Sequence, residues 1–130
     1  MTTALAKDVG CALPLGVHAV ASARRFTRDT LVAWEAEEET LRTATLLVSE
    51  LVTNAVLYGY GARALRLMRE GPTLRILVSD DAPGVPHERV PDDESEAGRG
   101  LQVVAACATA WGTEPTETGK VVWCEVPFPA

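Results

Sequence analysis

The 130-residue chain predicts an α+β fold of two layers, with helices on one face of a mixed, mostly antiparallel sheet. Three observations predict it. Long segments between His18 and Leu57 carry apolar residues at helical spacing. Shorter segments after Ala62 alternate with period two and pair off around glycine turns. No internal repeat or linker divides the chain, whose length suits one domain with one core.

Residues 1–10 read as a loose tail of small and polar residues, leaving 11–130 as the single domain. Cys11 to Val17 is short and apolar but broken by Pro14, so it reads as an edge strand, where proline is tolerated. Val20, Ala23, Phe26, Leu31 and Trp34 define one face of a helix over His18–Trp34, with Arg24, Arg25 and Arg28 on the other. Glu35–Glu39 reads as an acidic connector. Thr40 is the candidate N-cap of a second helix, Leu41–Leu57, whose stripe is Leu41, Ala44, Leu47, Val48, Leu51, Val52, Ala55 and Val56. Gly59 and Gly61 end it.

Ala62–Glu70 and Thr73–Asp80 alternate, with Leu65 and Leu67 on one face of the first strand and Leu74, Ile76 and Val78 on one face of the second. Gly71-Pro72 is their turn. Residues 81–98 form a long proline-rich loop of the kind that is usually functional. A small-residue helix is expected over Gly100–Ala110. A second hairpin, Trp111–Glu117 with Lys120–Val126, turns at Thr118-Gly119.

Composition excludes several classes. Apolar residues make up 47% and no charge-free stretch reaches ~18 residues, which excludes a disordered chain and a transmembrane helix. A formal charge of −6 argues against a nucleic-acid phosphate partner. Met1 to Val9 lacks a basic patch followed by an apolar run, so no signal peptide is expected. Cys11, Cys107 and Cys124 are scattered and odd in number, which suits a reducing cytoplasm better than a disulfide framework or a zinc site.

Chemistry gathers in three places. Glu50 and Asn54 lie four apart on the second helix and share a side of it. A carboxylate there can take a proton from a hydroxyl, and an amide oxygen suits Mg²⁺; the same pattern also arises by chance on solvated helix faces. Asp80 continues the inward face of its strand, where a buried carboxylate needs donors such as the exocyclic amine of a purine. Gly84 follows in a loop, without a Cβ to obstruct a ligand. Gly98-Arg99-Gly100-Leu101 opens a helix, and helix N-termini bind anions.

In this order the three elements resemble a known family. Ser49-Glu50-Leu51-Val52-Thr53-Asn54-Ala55-Val56 looks like the N-box of the GHKL ATPases. Asp80-Asp81-Ala82-Pro83-Gly84-Val85-Pro86 looks like their D-x-G-x-G box. Gly98-Arg99-Gly100-Leu101 looks like their second glycine box, and Gly119-Lys120-Val121-Val122-Trp123 resembles their terminal strand. The resemblance spans about residues 12–127. It is most similar to the small stand-alone anti-sigma-factor serine/threonine kinases.

The resemblance implies a Bergerat-type sandwich that binds ATP and Mg²⁺. Glu50 would be the general base and Asn54 the Mg²⁺ ligand. Asp80 would recognise the adenine amine, with Gly84 and Val85 beside the base. Gly98, Arg99, Gly100 and Leu101 would border the phosphates, under a lid formed by Pro86–Gly98. The implied substrate is a small anti-sigma antagonist protein, with a sigma factor as a further partner and a homodimer as the expected assembly. Neither a nucleic acid nor a membrane is expected as a partner. The alternative is a non-catalytic nucleotide- or protein-binding module acting through partner surfaces.

Ala82 replaces the first glycine of the D-x-G-x-G box. Tyr58 stands where many relatives have histidine, and Lys120 where a threonine often sits. The lid carries Asp92, Asp93, Glu94 and Glu96. His87 reads as a surface loop residue, and Cys107 as core packing. Trp34, Trp111 and Trp123 read as core or interface. Arg63, Arg66, Arg69 and Arg75 read as a solvated or partner-binding sheet face.

Overall fold

The computed structural model describes residues 6–58, 62–80 and 96–129, with side chains described for 6–57, 62–80 and 102–129. In chain order the elements are β1 (Ala6–Ala12), α1 (His18–Ala33), α2 (Glu38–Tyr58), β2 (Ala62–Glu70), β3 (Thr73–Asp80), α3 (Glu96–Cys107), β4 (Ala110–Pro115) and β5 (Lys120–Pro127). The strands make one sheet in the order β1-β2-β3-β5-β4. Every pair is antiparallel among the described residues, where a mixed sheet was expected.

Alternation decides which sheet face is covered. Leu65, Leu67, Leu74, Ile76, Val78, Val122, Cys124 and Val126 all point inward and are buried. Against them pack Ala19, Ala23 and Leu31 of α1, Leu47, Val48, Leu51, Val52 and Ala55 of α2, and Val104 of α3. The result is the expected two-layer α+β architecture.

The first strand differs from expectation. Residues 6–10 belong to β1, and the strand ends at Ala12, before Pro14. The Leu13 N–H still donates to the Arg63 carbonyl at 2.9 Å, after which proline has no donor to extend the ladder. Most of β1 is exposed, and a bidentate pair between Asp8 and the Arg66 guanidinium fastens it to β2.

The α1 helix buries Ala19, Ala23, Thr27 and Leu31, one residue per turn. It closes with a Schellman arrangement: Ala36 N–H donates to Leu31 O at 2.9 Å and Glu35 N–H to Val32 O at 3.0 Å. Glu35 takes the left-handed position usually given to glycine, at φ 60°.

The acidic connector is also shorter than expected, because α2 begins at Glu38. Leu41 N–H donates to Glu37 O at 2.9 Å, so Glu37 rather than Thr40 stands at the N-cap, and Thr40 is buried within the first turn. Glu38 and Glu39 fall where carboxylates favour the helix dipole.

The α3 helix begins four residues before Gly100 and stops at Cys107. Cys107 is exposed; the core cysteine is Cys124, on the inward face of β5. Burial and the neighbouring Glu125 push the Cys124 thiol up to about 12.

Away from the helices, the Arg75 guanidinium lies 4.4 Å from the Trp123 ring centroid and 3.5 Å from the Glu125 carboxylate. Arg69 departs from the expected solvated face. It shares the face of Leu74 and stacks 4.0 Å over Phe128 at the sheet's end. Trp111 is exposed, whereas Trp34 packs against the core.

Candidate functional site

The candidate residues lie on α2, at the end of β3, in the first half of α3 and at the start of β5, and α2 packs on the same face of the sheet. The buried stripe of α2 faces the strands, so residues a quarter-turn away lie on its flanks. Glu50 and Asn54 are both half-buried there, one turn apart. The Oδ1 atom of Asn54 is buried and, among the described residues, has no hydrogen-bond partner. Native structures leave few such atoms, because the group loses its hydration with nothing in return. An unsatisfied amide oxygen fits a hard-cation ligand, and Mg²⁺ needs only one or two protein ligands when waters and phosphates complete its shell. Among the described residues, no cluster of three or more His, Cys, Asp or Glu gathers as an all-protein metal cage.

Asp80 ends β3 on the inward face and is 2% exposed. It lies opposite Ala62 of β2 and Lys120 of β5. Lys120 Nζ approaches Asp80 Oδ2 to 3.3 Å. A bulge between Ala62 and Ala64 shifts the β2 register beside this pair. Immediately before the lysine, the Gly119 N–H donates to Thr116 Oγ1 at 2.9 Å, and Gly119 O accepts from the Thr116 N–H at 2.9 Å. That closed turn sets the start of β5, the backbone from which Lys120 reaches Asp80.

Gly98, Arg99, Gly100 and Leu101 lie inside the first half of α3, which starts at Glu96, rather than ahead of the helix. The α3 helix packs on α2, which brings the second glycine segment to the same side of the sheet as Asn54. Glycine costs about 1 kcal/mol relative to alanine in a helix interior, so two of them here serve something other than helix stability. Gly84 and Val85 lie outside the described residues, as does most of the expected lid.

One feature escaped sequence reasoning. A groove of about 500 Å³ runs between α1 and α2, lined by Arg24, Arg28, Arg42 and Glu38, with Glu50 among its walls. Among the described residues no ion pair or hydrogen bond engages the Glu50 carboxylate. Its only sequence signal was the i, i+4 spacing of Arg24 and Arg28 on the exposed side of α1. Lys120 was visible only as a departure from a pattern. Its parity with Val122, Cys124 and Val126 was the signal that it points inward, where the register of β3 and β5 sets it opposite Asp80.

These residues can hold a hard cation at Asn54, accept a proton at Glu50, and bind a polar edge between Asp80 and Lys120. No helix among the described residues is long and apolar enough to cross a membrane. Compared with protein-family models, the chain matches that of the histidine kinase-like ATPase domain over residues 13–125. No curated protein matches it.

Proposed function

The chain belongs to the histidine kinase-like ATPase domain family, and we propose that it is an ATP-binding regulatory protein. In this proposal it is an anti-sigma-factor-type serine/threonine kinase whose substrate is a small antagonist protein. The observation that supports the nucleotide site most directly is the unsatisfied, buried Oδ1 of Asn54, one turn from Glu50. Asn54 would hold Mg²⁺ through that oxygen. Asp80 would accept a hydrogen bond from the purine amine, and the first half of α3 would border the phosphates. Bound Mg²⁺-ATP supplies the phosphoryl group. Glu50 would take the proton from the acceptor hydroxyl as its oxygen bonds to phosphorus, with ADP leaving. Phosphoryl transfer rests mainly on positioning and charge neutralisation, which so small a set of groups can provide.

Calorimetric titration with ATP, with and without Mg²⁺, tests the site. Saturable binding that is lost in Asp80→Asn and loses its Mg²⁺ dependence in Asn54→Ala is expected. No binding at millimolar ATP overturns the reading. Phosphate transfer to a partner protein that disappears in Glu50→Ala, with binding retained, tests the kinase. A second reading, a binding module without turnover, is favoured by Lys120, which already engages Asp80. Partner regulation unchanged in Glu50→Ala would select it. A sigma factor as second partner and a homodimer belong to the first reading; a monomer by sedimentation removes the dimer.

A further inference from the structure

Asp80 and Lys120 oppose each other across β3 and β5 on the helix-covered face. Their side chains are 1% and 12% exposed, and Nζ lies 3.3 Å from Oδ2. Lysine is seldom this buried. A buried ion pair adds little net stability over apolar residues of the same volume, so stability alone does not account for a lysine here. Chemically, the pair sets a fixed acceptor beside a mobile donor. The Asp80 carboxylate only accepts and the Lys120 ammonium only donates. The four-carbon stem of Lys120 lets Nζ shift while the shorter Asp80 side chain keeps the carboxylate near the end of β3.

Purines differ at the edge such a pair would meet. Adenine offers an amine donor beside the N1 acceptor. A 6-oxopurine offers the O6 acceptor beside an N1–H donor. A lone carboxylate matches the amine of the first and repels O6 of the second. A site that leaves polar groups unpaired rejects a ligand strongly, so adding one donor changes which bases are tolerated. We propose that Lys120 is a nucleobase-specificity residue: with Asp80 it makes the site accept 6-oxopurine nucleotides as well as adenine nucleotides. The inference rests on Asp80 being the base-reading carboxylate of the proposed function. Lys120 donates to N1 of adenine or to O6 of a 6-oxopurine, and Asp80 accepts from the amine or from N1–H.

The test is calorimetric titration of the intact protein with ATP, GTP and ITP at constant Mg²⁺, for wild type, Lys120→Thr and Lys120→Arg. Wild type is expected to bind GTP and ITP within about tenfold of ATP, a difference below about 1.4 kcal/mol. Lys120→Thr, with folding checked by thermal unfolding, is expected to raise the preference for ATP by about tenfold or more, and Lys120→Arg to raise it less. Wild-type discrimination above about tenfold, or a preference unmoved by Lys120→Thr, overturns the inference while leaving ATP binding intact. Absence of binding by all three nucleotides overturns the proposed nucleotide site as well.

Discussion

Replacing Asn54 with leucine should stabilise the nucleotide-free protein and at the same time remove Mg²⁺-dependent nucleotide binding. The Oδ1 atom is buried with no partner among the described residues, so folding strips its water and returns no hydrogen bond from them. Leaving such a group unsatisfied costs about 1–3 kcal/mol. Leucine has similar bulk and no polar atom. It also improves helix propensity, by at most about 0.5 kcal/mol. For 130 residues the unfolding entropy is about 0.27 kcal/mol per degree, so 1 kcal/mol corresponds to about 4 °C. Propensity alone therefore raises Tm by about 2 °C or less, whereas relief of the orphaned oxygen adds about 4 °C or more. Differential scanning fluorimetry without nucleotide separates the two. The same samples with ATP, with and without Mg²⁺, should show that the metal adds to Tm only in the wild type. An Asn54→Leu protein no more than about 2 °C above wild type would refute the reasoning, because the oxygen would then have a partner in solution.

Other perturbations follow from particular contacts. A Cβ added at Gly112 would meet Trp123 Cζ2 at 2.9 Å, and Arg75 stacks on that ring, so Gly112→Ala should cost about 1–3 kcal/mol by chemical denaturation. In a Trp123→Leu background the same change should be nearly neutral. Glu35→Gly should raise stability by about 0.5 kcal/mol, since glycine relieves the left-handed φ of 60° while its freedom in the unfolded chain offsets part of the gain. A lower Tm would show that the Schellman turn holds glutamate without strain. Native-state thiol titration should label exposed Cys107 and spare Cys124 until the protein unfolds. The Cys124 thiol is raised to about 12, above its unfolded value of about 8.5, so its contribution is full below about pH 8.5 and is lost as pH rises towards 12. Cys124→Val should flatten the alkaline fall in Tm; identical pH profiles would count against burial as the cause.

The sheet's covered face was legible in the sequence because period-two alternation is local. Leu65, Leu67, Leu74, Ile76 and Val78 announce their strands without reference to any neighbour. The helical stripes of α1 and α2 were legible for the same reason. β1 was not, because an edge strand that buries little carries no apolar alternation, and its anchor is Arg66, 58 residues from Asp8. The start of α2 was obscured because Glu38 and Glu39 suit a helix N-terminus as well as a solvated connector. Cys107 was expected in the core and is exposed: a small-residue helix does not say which of its residues face the sheet, whereas the parity of a strand does, as the inward Cys124 shows.

The sequence by itself determined the two-layer class, the main helices, the hairpins, and the order of the segments carrying Glu50, Asn54 and Asp80. Each of these follows from spacings within about one element's length. Tertiary structure alone decided that Lys120 meets Asp80. Those residues are 40 positions apart, and their meeting depends on the antiparallel register of β3 and β5, which the packing of the whole sheet sets. It also decided that Glu50 borders a groove shared with the arginines of α1, because that groove exists only once two helices are laid side by side. Local periodicity says which way a side chain points, and only the packed fold says what it finds there.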